Sequence, residues 1–218
     1  MSLTSRRNFL KLLLSSGALA ISGSYVSSPQ FKRVIHSIYS SQPNALTPEA
    51  SWYRVQIGPT PHVATSNYSI EVFGDVKNPF SLSYSELLSM KSVTLKDTIQ
   101  CVSDPNFLRA NVVWTGVPLK DVLALAEPSN EAIKVMFMSH DGYMTDIPMW
   151  KALEPDTLLA YMADGNPLPA DHGSPVRAVV PRWWGYKYAK WIKRIWIVKE
   201  DYVGYWESMG YPDIARKG

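Results

Sequence analysis

A β-strand is predicted for Val93-Thr94-Leu95-Lys96-Asp97-Thr98-Ile99-Gln100, and it places Cys101, the only cysteine of the chain, at its end. A second strand fragment is predicted for Val112-Val113-Trp114-Thr115-Gly116-Val117-Pro118. Pro118 then introduces a helix over residues 119–126, because its apolar side chains recur at helical spacing. The cysteine is therefore expected to follow a strand, in front of a second strand that leads into a helix.

Short strands and few helices are predicted on both sides of this region. Strands are predicted over residues 68–76, 132–138, 176–180 and 192–198, and short helices or helical turns over 83–90, 148–153 and 156–161. Asp141-Gly142 is typical of a hairpin turn. Because these elements follow no regular strand–helix–strand rhythm, the sequence predicts an α+β fold with mixed β-sheets. It contains neither a GxGxxG nor a GxxxxGK loop, so nucleotide-binding folds of those kinds are unsupported.

Composition narrows the function classes. The chain has 218 residues, of which 46% are hydrophobic and 19% charged, as in an ordinary globular protein. A single cysteine excludes an internal disulfide framework and any cysteine-rich zinc or iron–sulfur site. The net charge of +3 is too small to indicate a nucleic-acid-binding surface.

The N-terminal region has the pattern of an export signal. Arg6 and Arg7 precede Phe9-Leu10-Lys11 and an uncharged stretch that extends to Phe31, and the first acidic residue is Glu49. The paired arginines resemble a twin-arginine signal. We therefore predict an export signal or N-terminal anchor over residues 1–28, a linker over 29–46 and a folded domain over 47–218. The protein is expected on the outer face of the cytoplasmic membrane, in the periplasm where one exists, and in contact with the membrane only through an uncleaved N-terminus.

Three segments are candidates for the functional site. They are the stretch around Cys101, residues 171–181 and residues 184–192. A thiolate is a soft ligand suited to a transition metal, although a lone cysteine is more often a core residue. His172, Arg177, Lys187 and Lys190 lie among glycines and aromatics and would suit a phosphate, while a solvated basic strand pair or a nucleic-acid groove are the alternatives.

The ordered series of such segments resembles the molybdopterin-binding oxidoreductases of the sulfite-oxidase fold. The matching segments are Thr47-Pro48, Trp52-Tyr53, 68–79, Gln100-Cys101, 114–119, 139–143, Leu168-Pro169, His172-Gly173, 175–177, 185–187, Lys190-Trp191 and 204–207. The resemblance implies a mononuclear molybdenum cofactor, molybdopterin, with Cys101 as the metal ligand and catalytic residue. It also implies that the pterin and its phosphate contact Trp52, Tyr53, Ser139, His172, Arg177, Tyr188, Ala189 and Lys190.

The sequence departs from sulfite oxidases at several points. Val102-Ser103-Asp104 follows the cysteine in place of Ala-Gly-Asn, and an acid beside the metal would repel sulfite. The chain ends soon after Glu207, without the C-terminal dimerisation domain of those enzymes, so a monomer is expected. Without a haem motif, electrons are expected to pass to or from a separate cytochrome or a membrane haem or quinone protein.

The expected function is oxygen-atom and two-electron transfer on a small molecule or an oxidised residue, with a methionine-sulfoxide-type reductase as one alternative. Arg182, Trp183 and Trp184 are candidates for substrate contact, with plain packing as the other interpretation. Two rivals lie outside redox chemistry. One is a binding module that uses the same pocket, and the other is a cysteine-nucleophile enzyme in which His172 would be the base.

Overall fold

The computed structural model describes residues 45–217, and the predicted export signal and nearly all of the predicted linker lie outside this range. It contains ten strands and three short α-helices. The strands are β1 (Ser69–Gly74), β2 (Phe80–Ser83), β3 (Val93–Gln100), β4 (Arg109–Pro118), β5 (Lys134–Ser139), β6 (Met144–Pro148), β7 (Leu158–Ala163), β8 (Asn166–Pro167), β9 (Arg177–Val179) and β10 (Ile192–Val198). The helices are α1 (Tyr84–Ser89), α2 (Leu119–Ala126) and α3 (Met149–Ala152).

Two five-stranded sheets account for all ten strands. The first has the order β2-β1-β10-β5-β6, in which β1 and β10 are parallel and the other pairs antiparallel. In the second, β3, β4 and β7 are antiparallel neighbours, and β8 and β9 both pair with β7. Mixed sheets with few short helices confirm the predicted α+β class.

Local sequence explains most of these elements. In β1, Ile70 and Val72 point into the core while Ser69 and Glu71 are exposed, as the alternation predicted. Helix α1 begins at Ser83, whose hydroxyl accepts the backbone N–H of Glu86 while the Glu86 carboxylate accepts the backbone N–H of Ser83. The apolar spacing predicted for α2 buries Leu119, Val122 and Leu123.

One predicted element is wrong. Residues 156–161 were expected to form a helical turn, whereas β7 begins at Leu158 and lies between β4 and β9. Leu158, Leu159 and Ala160 are all fully buried. A continuous apolar run of this kind has no period that separates a buried strand from a buried helix.

The sheets bring distant parts of the chain to one place. The pairing of β3 with β4 runs from Val93 opposite Gly116 to Gln100 opposite Arg109, so the loop that contains Cys101 joins their ends. The β5–β6 hairpin turns at Asp141 and Gly142, as predicted, and β9 leads through residues 180–191 into β10. None of the helices within residues 45–217 has the length and apolar composition that a membrane span requires.

Candidate active site

A cleft opens beside Cys101, and six separate parts of the chain line it. These are residues 52–57, the end of β3 with residues 101–103, strand β4 with Ala110 and Trp114, the β5–β6 turn, the stretch from His172 to Trp191, and the C-terminal segment that carries Trp206 and Tyr211. Cys101, His172, Arg177 and Lys190 are thereby brought together from positions up to 89 residues apart in sequence. The cleft is therefore a product of the whole fold.

The loop after β3 holds the Cys101 thiol at the cleft. The backbone N–H of Cys101 donates to the carbonyl of Leu108 at 2.8 Å, and Gln100 Nε2 donates to the carbonyl of Pro105 at 2.7 Å. Cys101 Sγ lies 3.0 Å from Ser103 Oγ and is partly accessible. These contacts fix the loop and leave the thiol available to a ligand in the cleft.

Two cations and a buried histidine crowd one part of the cleft. Arg177 is buried and donates to the carbonyls of His172 at 2.9 Å and Tyr188 at 3.2 Å. Burial, and then the charges of Arg177 and Lys190, lower the pKa of His172 to about 4. Burial and the charge of Arg177 lower the pKa of Lys190 to about 7, and burial lowers that of Arg177 to about 10. An anion placed among these groups would relieve both their repulsion and their desolvation.

Several buried polar atoms around this cluster have no hydrogen-bond partner among residues 45–217. They include the Tyr53 hydroxyl, Trp114 Nε1 and Arg177 Nε, all on residues that line the cleft. Buried polar groups are normally satisfied, so their pairing with a bound ligand is the expected explanation. Burial raises the pKa of Tyr53, which keeps its hydroxyl protonated and able to donate.

Two glycines allow close backbone approach beside the cleft. A Cβ on Gly185 would lie 2.4 Å from the Tyr53 hydroxyl oxygen and 3.0 Å from the Gln100 carbonyl oxygen. Gly173 has a φ of +108°, and a Cβ there would lie 2.9 Å from that of Arg177. Any larger residue at either position would displace groups that line the site.

The extended segment 52–60 crosses the cationic part of the cleft. Lys190 Nζ donates to Gln56 Oε1 at 3.0 Å, and Arg54 forms an ion pair with Asp171. Thr60 Oγ1 donates to the other carboxylate oxygen of Asp171 at 2.6 Å. This segment therefore contributes a layer of polar contacts that local sequence patterns did not reveal.

Four aromatic residues form a second cluster in the lining, which we call the aromatic wall: Tyr143, Tyr186, Trp206 and Tyr211. The Tyr186 and Trp206 rings lie 5.6 and 5.4 Å from that of Tyr211, measured between ring centroids. The Tyr143 hydroxyl donates to the carbonyl of Tyr186 at 2.5 Å. The sequence patterns assign no role to any of these four residues.

Most of the predicted site residues share this cleft. Trp52, Tyr53, Cys101, His172, Arg177, Tyr188 and Lys190 line it. Ser139 and Ala189 are buried and are not among the lining residues. Trp52 packs against His172, with the two ring centroids 5.0 Å apart in an edge-on arrangement. Its Nε1 donates to the carbonyl of Thr47, which fixes the orientation of the indole ring.

Other expectations about the site are corrected. Lys187 was grouped with the phosphate-binding candidates, but its ammonium lies among carboxylates and is fully buried. Arg182 is exposed and bonds Asp156 and Glu154, and Trp183 is buried, so neither lines the cleft. Residue spacing alone does not specify which of these neighbouring side chains contact the cleft.

The acid expected beside the metal is also placed differently. Asp104 accepts a hydrogen bond from the backbone N–H of Phe107 at 3.3 Å and is not part of the lining. Its carboxylate therefore stabilises the loop and does not face the cleft. Asp141 is the carboxylate that lines the cleft, although its hairpin position indicated only a turn residue. Asp104 is therefore not in a position to repel sulfite from the cleft.

A family model matches the chain. Residues 57–206 match the model described as "Oxidoreductase molybdopterin binding domain". This range contains Cys101, His172, Arg177, Lys190 and most of the aromatic wall.

Named relatives include redox enzymes of several kinds. The oxidoreductase YuiH of Bacillus subtilis is 34% identical over 67% of this chain and 73% of its own length. A NADH nitrate reductase of Oryza sativa is 30% identical over 82% of this chain, but the match covers only 22% of that enzyme. A proposed protein-methionine-sulfoxide reductase subunit of Azospira oryzae, YedZ1, is 32% identical over 68% of this chain and 56% of its length.

Among solved structures, the sulfane dehydrogenase SoxCD of Paracoccus pantotrophus has a similar fold. The TM-score is 0.70 at 24% sequence identity, over 76% of this chain and 46% of the SoxCD chain. The similarity supports the sulfite-oxidase fold predicted from the ordered sequence segments.

Proposed function

Because this chain belongs to the oxidoreductase molybdopterin-binding domain family, we propose that it is an exported mononuclear molybdenum oxidoreductase whose metal is bound by the thiolate of Cys101. The chain is an oxidoreductase, and its cofactor is molybdenum bound to molybdopterin. When bound, this cofactor supplies two-electron redox chemistry and oxygen-atom transfer. The protein contributes binding, orientation and electrostatics.

The observation that carries the proposal is the coexistence of a thiol, Cys101, and two neighbouring cations, Arg177 and Lys190, in one cleft. Arg177, Lys190 and His172 are held together, and burial is the largest cause of the lowered pKa of each, while the charges of Asp171 and Asp141 oppose it only in part. A pterin phosphate supplies the missing charge, and the unpartnered Tyr53 hydroxyl and Trp114 Nε1 can satisfy polar atoms of the pterin. The residues present therefore fit the cofactor.

Each lining residue has a separate task in this proposal. Cys101 binds the metal, because a thiolate is a soft ligand and the loop hydrogen bonds hold its backbone in place. Arg177 and Lys190 hold the phosphate, while Trp52, Tyr53, His172 and Tyr188 shape and orient the pterin site. Ser139 and Ala189, predicted from the resemblance, would support the pocket from behind its lining.

Export and electron transfer form the second part of the proposal. The twin-arginine pattern of Arg6 and Arg7 supports export after the cofactor is inserted. The proposed electron partner is a separate cytochrome or membrane haem or quinone protein, which agrees with the subunit wording in the name of the Azospira relative. We propose that the protein functions as a monomer on the outer face of the membrane.

Metal and pterin analysis tests the central assignment. The protein would be purified from a host that makes the cofactor, as wild type, Cys101→Ser and Ser103→Ala. We expect about one molybdenum per chain in the wild type and in Ser103→Ala, and loss or altered spectroscopy of the metal in Cys101→Ser. Well-folded wild type without metal and pterin would contradict the proposal, and equal loss in Ser103→Ala would show that loop geometry, and not the thiolate, controls binding.

The aromatic wall favours a neutral sulfoxide as the substrate class. Its four side chains are uncharged, and tyrosine and tryptophan faces pack well against sulfur and apolar groups. The net reaction is reduction of the sulfoxide by two electrons and two protons, which gives a thioether and water. A methionine-sulfoxide-type reductase is therefore our candidate for the activity, in accord with the name of the Azospira relative.

Substrate competition tests this candidate. Loaded enzyme would be supplied with a reduced viologen dye and either methyl phenyl sulfoxide or nitrate, and separately with sulfite and an oxidised dye. We expect turnover of the sulfoxide at least tenfold faster than that of either oxyanion. Preferential turnover of sulfite or nitrate would reject the sulfoxide assignment while leaving the molybdenum assignment intact.

A further inference from the structure

A buried ionic network lies directly behind the aromatic wall. We call it the carboxylate clamp, and define it as Lys134, Lys187, Asp146, Glu207 and Asp213. Lys187 Nζ lies 2.6 Å from Glu207 Oε1, 3.1 Å from Asp146 Oδ1 and 3.4 Å from Asp213 Oδ1. Lys134 Nζ lies 3.1 Å from Asp146 Oδ2 and 2.8 Å from Asp213 Oδ2.

The centre of this clamp is isolated from water. The side chains of Lys187 and Asp146 are fully buried, and that of Glu207 is 1% exposed. Removing one partner from such a network leaves an uncompensated buried charge, which is far more costly than loss of a surface ion pair. The clamp therefore sets the position of the backbone segments to which its members belong.

Each member of the wall has a clamp residue close to it in the chain. Tyr186 precedes Lys187, Trp206 precedes Glu207, and Tyr211 lies two residues before Asp213. Tyr143 immediately precedes β6 and lies three residues before Asp146, and Thr145 Oγ1 of β6 donates to Glu207 Oε1 at 2.7 Å. Neighbouring side chains thus face opposite ways, the aromatic one into the cleft and the charged one into the clamp.

The C-terminal segment is seated tightly on β6 at this point. The backbone N–H of Tyr205 donates to the carbonyl of Met144 at 2.8 Å. A Cβ on Gly204 would lie 2.5 Å from Glu207 Oε2 and 2.6 Å from Thr145 Cα. Short-range backbone hydrogen bonds also hold residues 201–213, and the Tyr186 hydroxyl donates to the carbonyl of Pro212 at 2.6 Å. The ionic contacts add a restraint from the interior of the protein to the half of the wall that this segment carries.

We propose that Lys187 is a positioning residue that fixes the aromatic wall, because its one ammonium group joins the turn that carries Tyr186 to the C-terminal segment that carries Trp206 and Tyr211. It does so without lining the cleft. The ammonium also lies 5.7 Å from the centroid of the Tyr186 ring. The clamp thereby controls the shape of the substrate side, separately from the cationic cluster. Only the activity consequence of this proposal rests on the proposed function.

Hydrogen exchange on the intact chain tests the clamp directly. Lys187→Met keeps the length of the side chain and removes its charge, and Lys199→Met is the control, since Lys199 is exposed and lies 3.5 Å from Glu131. In Lys187→Met we expect amides of residues 201–213 to exchange at least tenfold faster, with those of β4 and β7 within twofold of wild type. Unchanged exchange in 201–213, or an equal increase in the control, would overturn the proposal.

A kinetic comparison separates positioning from general damage. With methyl phenyl sulfoxide as the probe, we expect Lys187→Met to raise KM at least tenfold while kcat changes less than threefold and molybdenum content is unchanged. A parallel fall in kcat and metal content would show a merely structural role and overturn the proposal. If the enzyme binds no molybdenum or does not turn over the sulfoxide, the proposed function fails, but the exchange experiment still decides the clamp.

A milder variant applies if Lys187→Met does not fold. Asp213 is 35% exposed and contacts both lysines, so Asp213→Asn weakens the clamp from its accessible side. We expect faster exchange in residues 201–213 and a smaller rise in KM. Wild-type exchange in this variant would count against the clamp.

Discussion

At the scale of single residues, Lys190 shows how the cleft is prepared for an anion. Its ammonium lies 4.1 Å from the centroid of the Trp191 ring and donates to Gln56 and to the carbonyl of Asp171. These neighbours do not compensate for burial and the charge of Arg177, so its pKa falls to about 7 from an ordinary value of 10.5. The folded, cofactor-free protein therefore binds fewer protons at Lys190 than the unfolded chain between pH 7 and 10.5.

This difference predicts a pH-dependent stability. Because the unfolded state holds the extra proton, the free energy of unfolding of the cofactor-free protein should increase as pH rises from 7 to 9. The contribution is a fraction of the limiting value of about 1.4 kcal/mol per pH unit, since Lys190 is partly solvated. Urea unfolding of wild type and Lys190→Met at both pH values measures it. Equal pH slopes in the two proteins would contradict the assignment.

The sequence predicts which residues belong to the site better than it predicts where their side chains point. Cys101, Arg177 and Lys190 line one cleft, as the matching segments implied. Lys187 lies in a 3₁₀ turn two residues beyond Gly185. Its side chain contacts the carboxylates of β6 and the C-terminal segment, whereas the side chain of the preceding Tyr186 lines the cleft. Those partners lie between 20 and 41 residues away in sequence, so no local pattern could specify their contact.

At the scale of secondary structure, the turn Gly185–Lys187 connects the parts of the site. Gly185 lies against the Tyr53 hydroxyl and the Gln100 carbonyl, next to Cys101. Tyr186 contributes to the aromatic wall, and Lys187 to the carboxylate clamp. A small displacement of this turn therefore changes the cofactor side and the substrate side together.

Gly185→Ala tests that connection. The added methyl group has no room, so we expect a loss of about 1–3 kcal/mol in the free energy of unfolding, together with lower molybdenum content. Gly58→Ala is the matched control, because a Cβ there would have no heavy atom within 4 Å. Urea midpoints and metal analysis of both variants provide the measurement. Full metal content and wild-type stability in Gly185→Ala would show that the turn can shift without consequence.

Secondary-structure elements were predicted correctly where a short stretch of sequence carries a clear periodic pattern. The bounds of β3, α2 and β10 agree with the sequence prediction because alternation or helical spacing marks them directly. Strand β7 was missed because residues on both of its faces are buried and its apolar run has no period. No local pattern in the segment 52–60 predicted its contacts with Asp171 and Lys190, since all of them are long-range.

At the scale of the whole molecule, the cleft draws on both sheets and on the segments at either end of the described chain. Sheet one supplies the β5–β6 turn, sheet two supplies the end of β3 and the start of β4, and residues 52–57 and 206–211 close the sides. A ligand that contacts all of these parts stabilises the arrangement in which they meet. Cofactor binding and global folding should therefore be linked.

The linkage predicts that the free energy of unfolding is much larger for the loaded protein than for the cofactor-free protein. A ligand that binds only the folded state at 100 to 1,000 times its dissociation constant adds about 3–4 kcal/mol to the free energy of unfolding. We expect the urea midpoint of the loaded wild type to rise by a corresponding amount, without a change in slope. The gain should be smaller in Cys101→Ser, which lacks the thiolate but keeps the cationic cluster.

The cofactor-free forms give the control for this experiment. Cys101 is partly accessible and its side chain contacts only Ser103 Oγ among the hydrogen bonds found in residues 45–217, so Cys101→Ser should leave the cofactor-free midpoint nearly unchanged. The difference between the two loaded proteins then measures the metal–thiolate contribution without a background from folding. Identical midpoints for loaded and cofactor-free wild type would mean that the cleft keeps its shape without the cofactor's help. The repulsion between Arg177 and protonated Lys190 argues against that result near pH 7, because an anion in the cleft would compensate it.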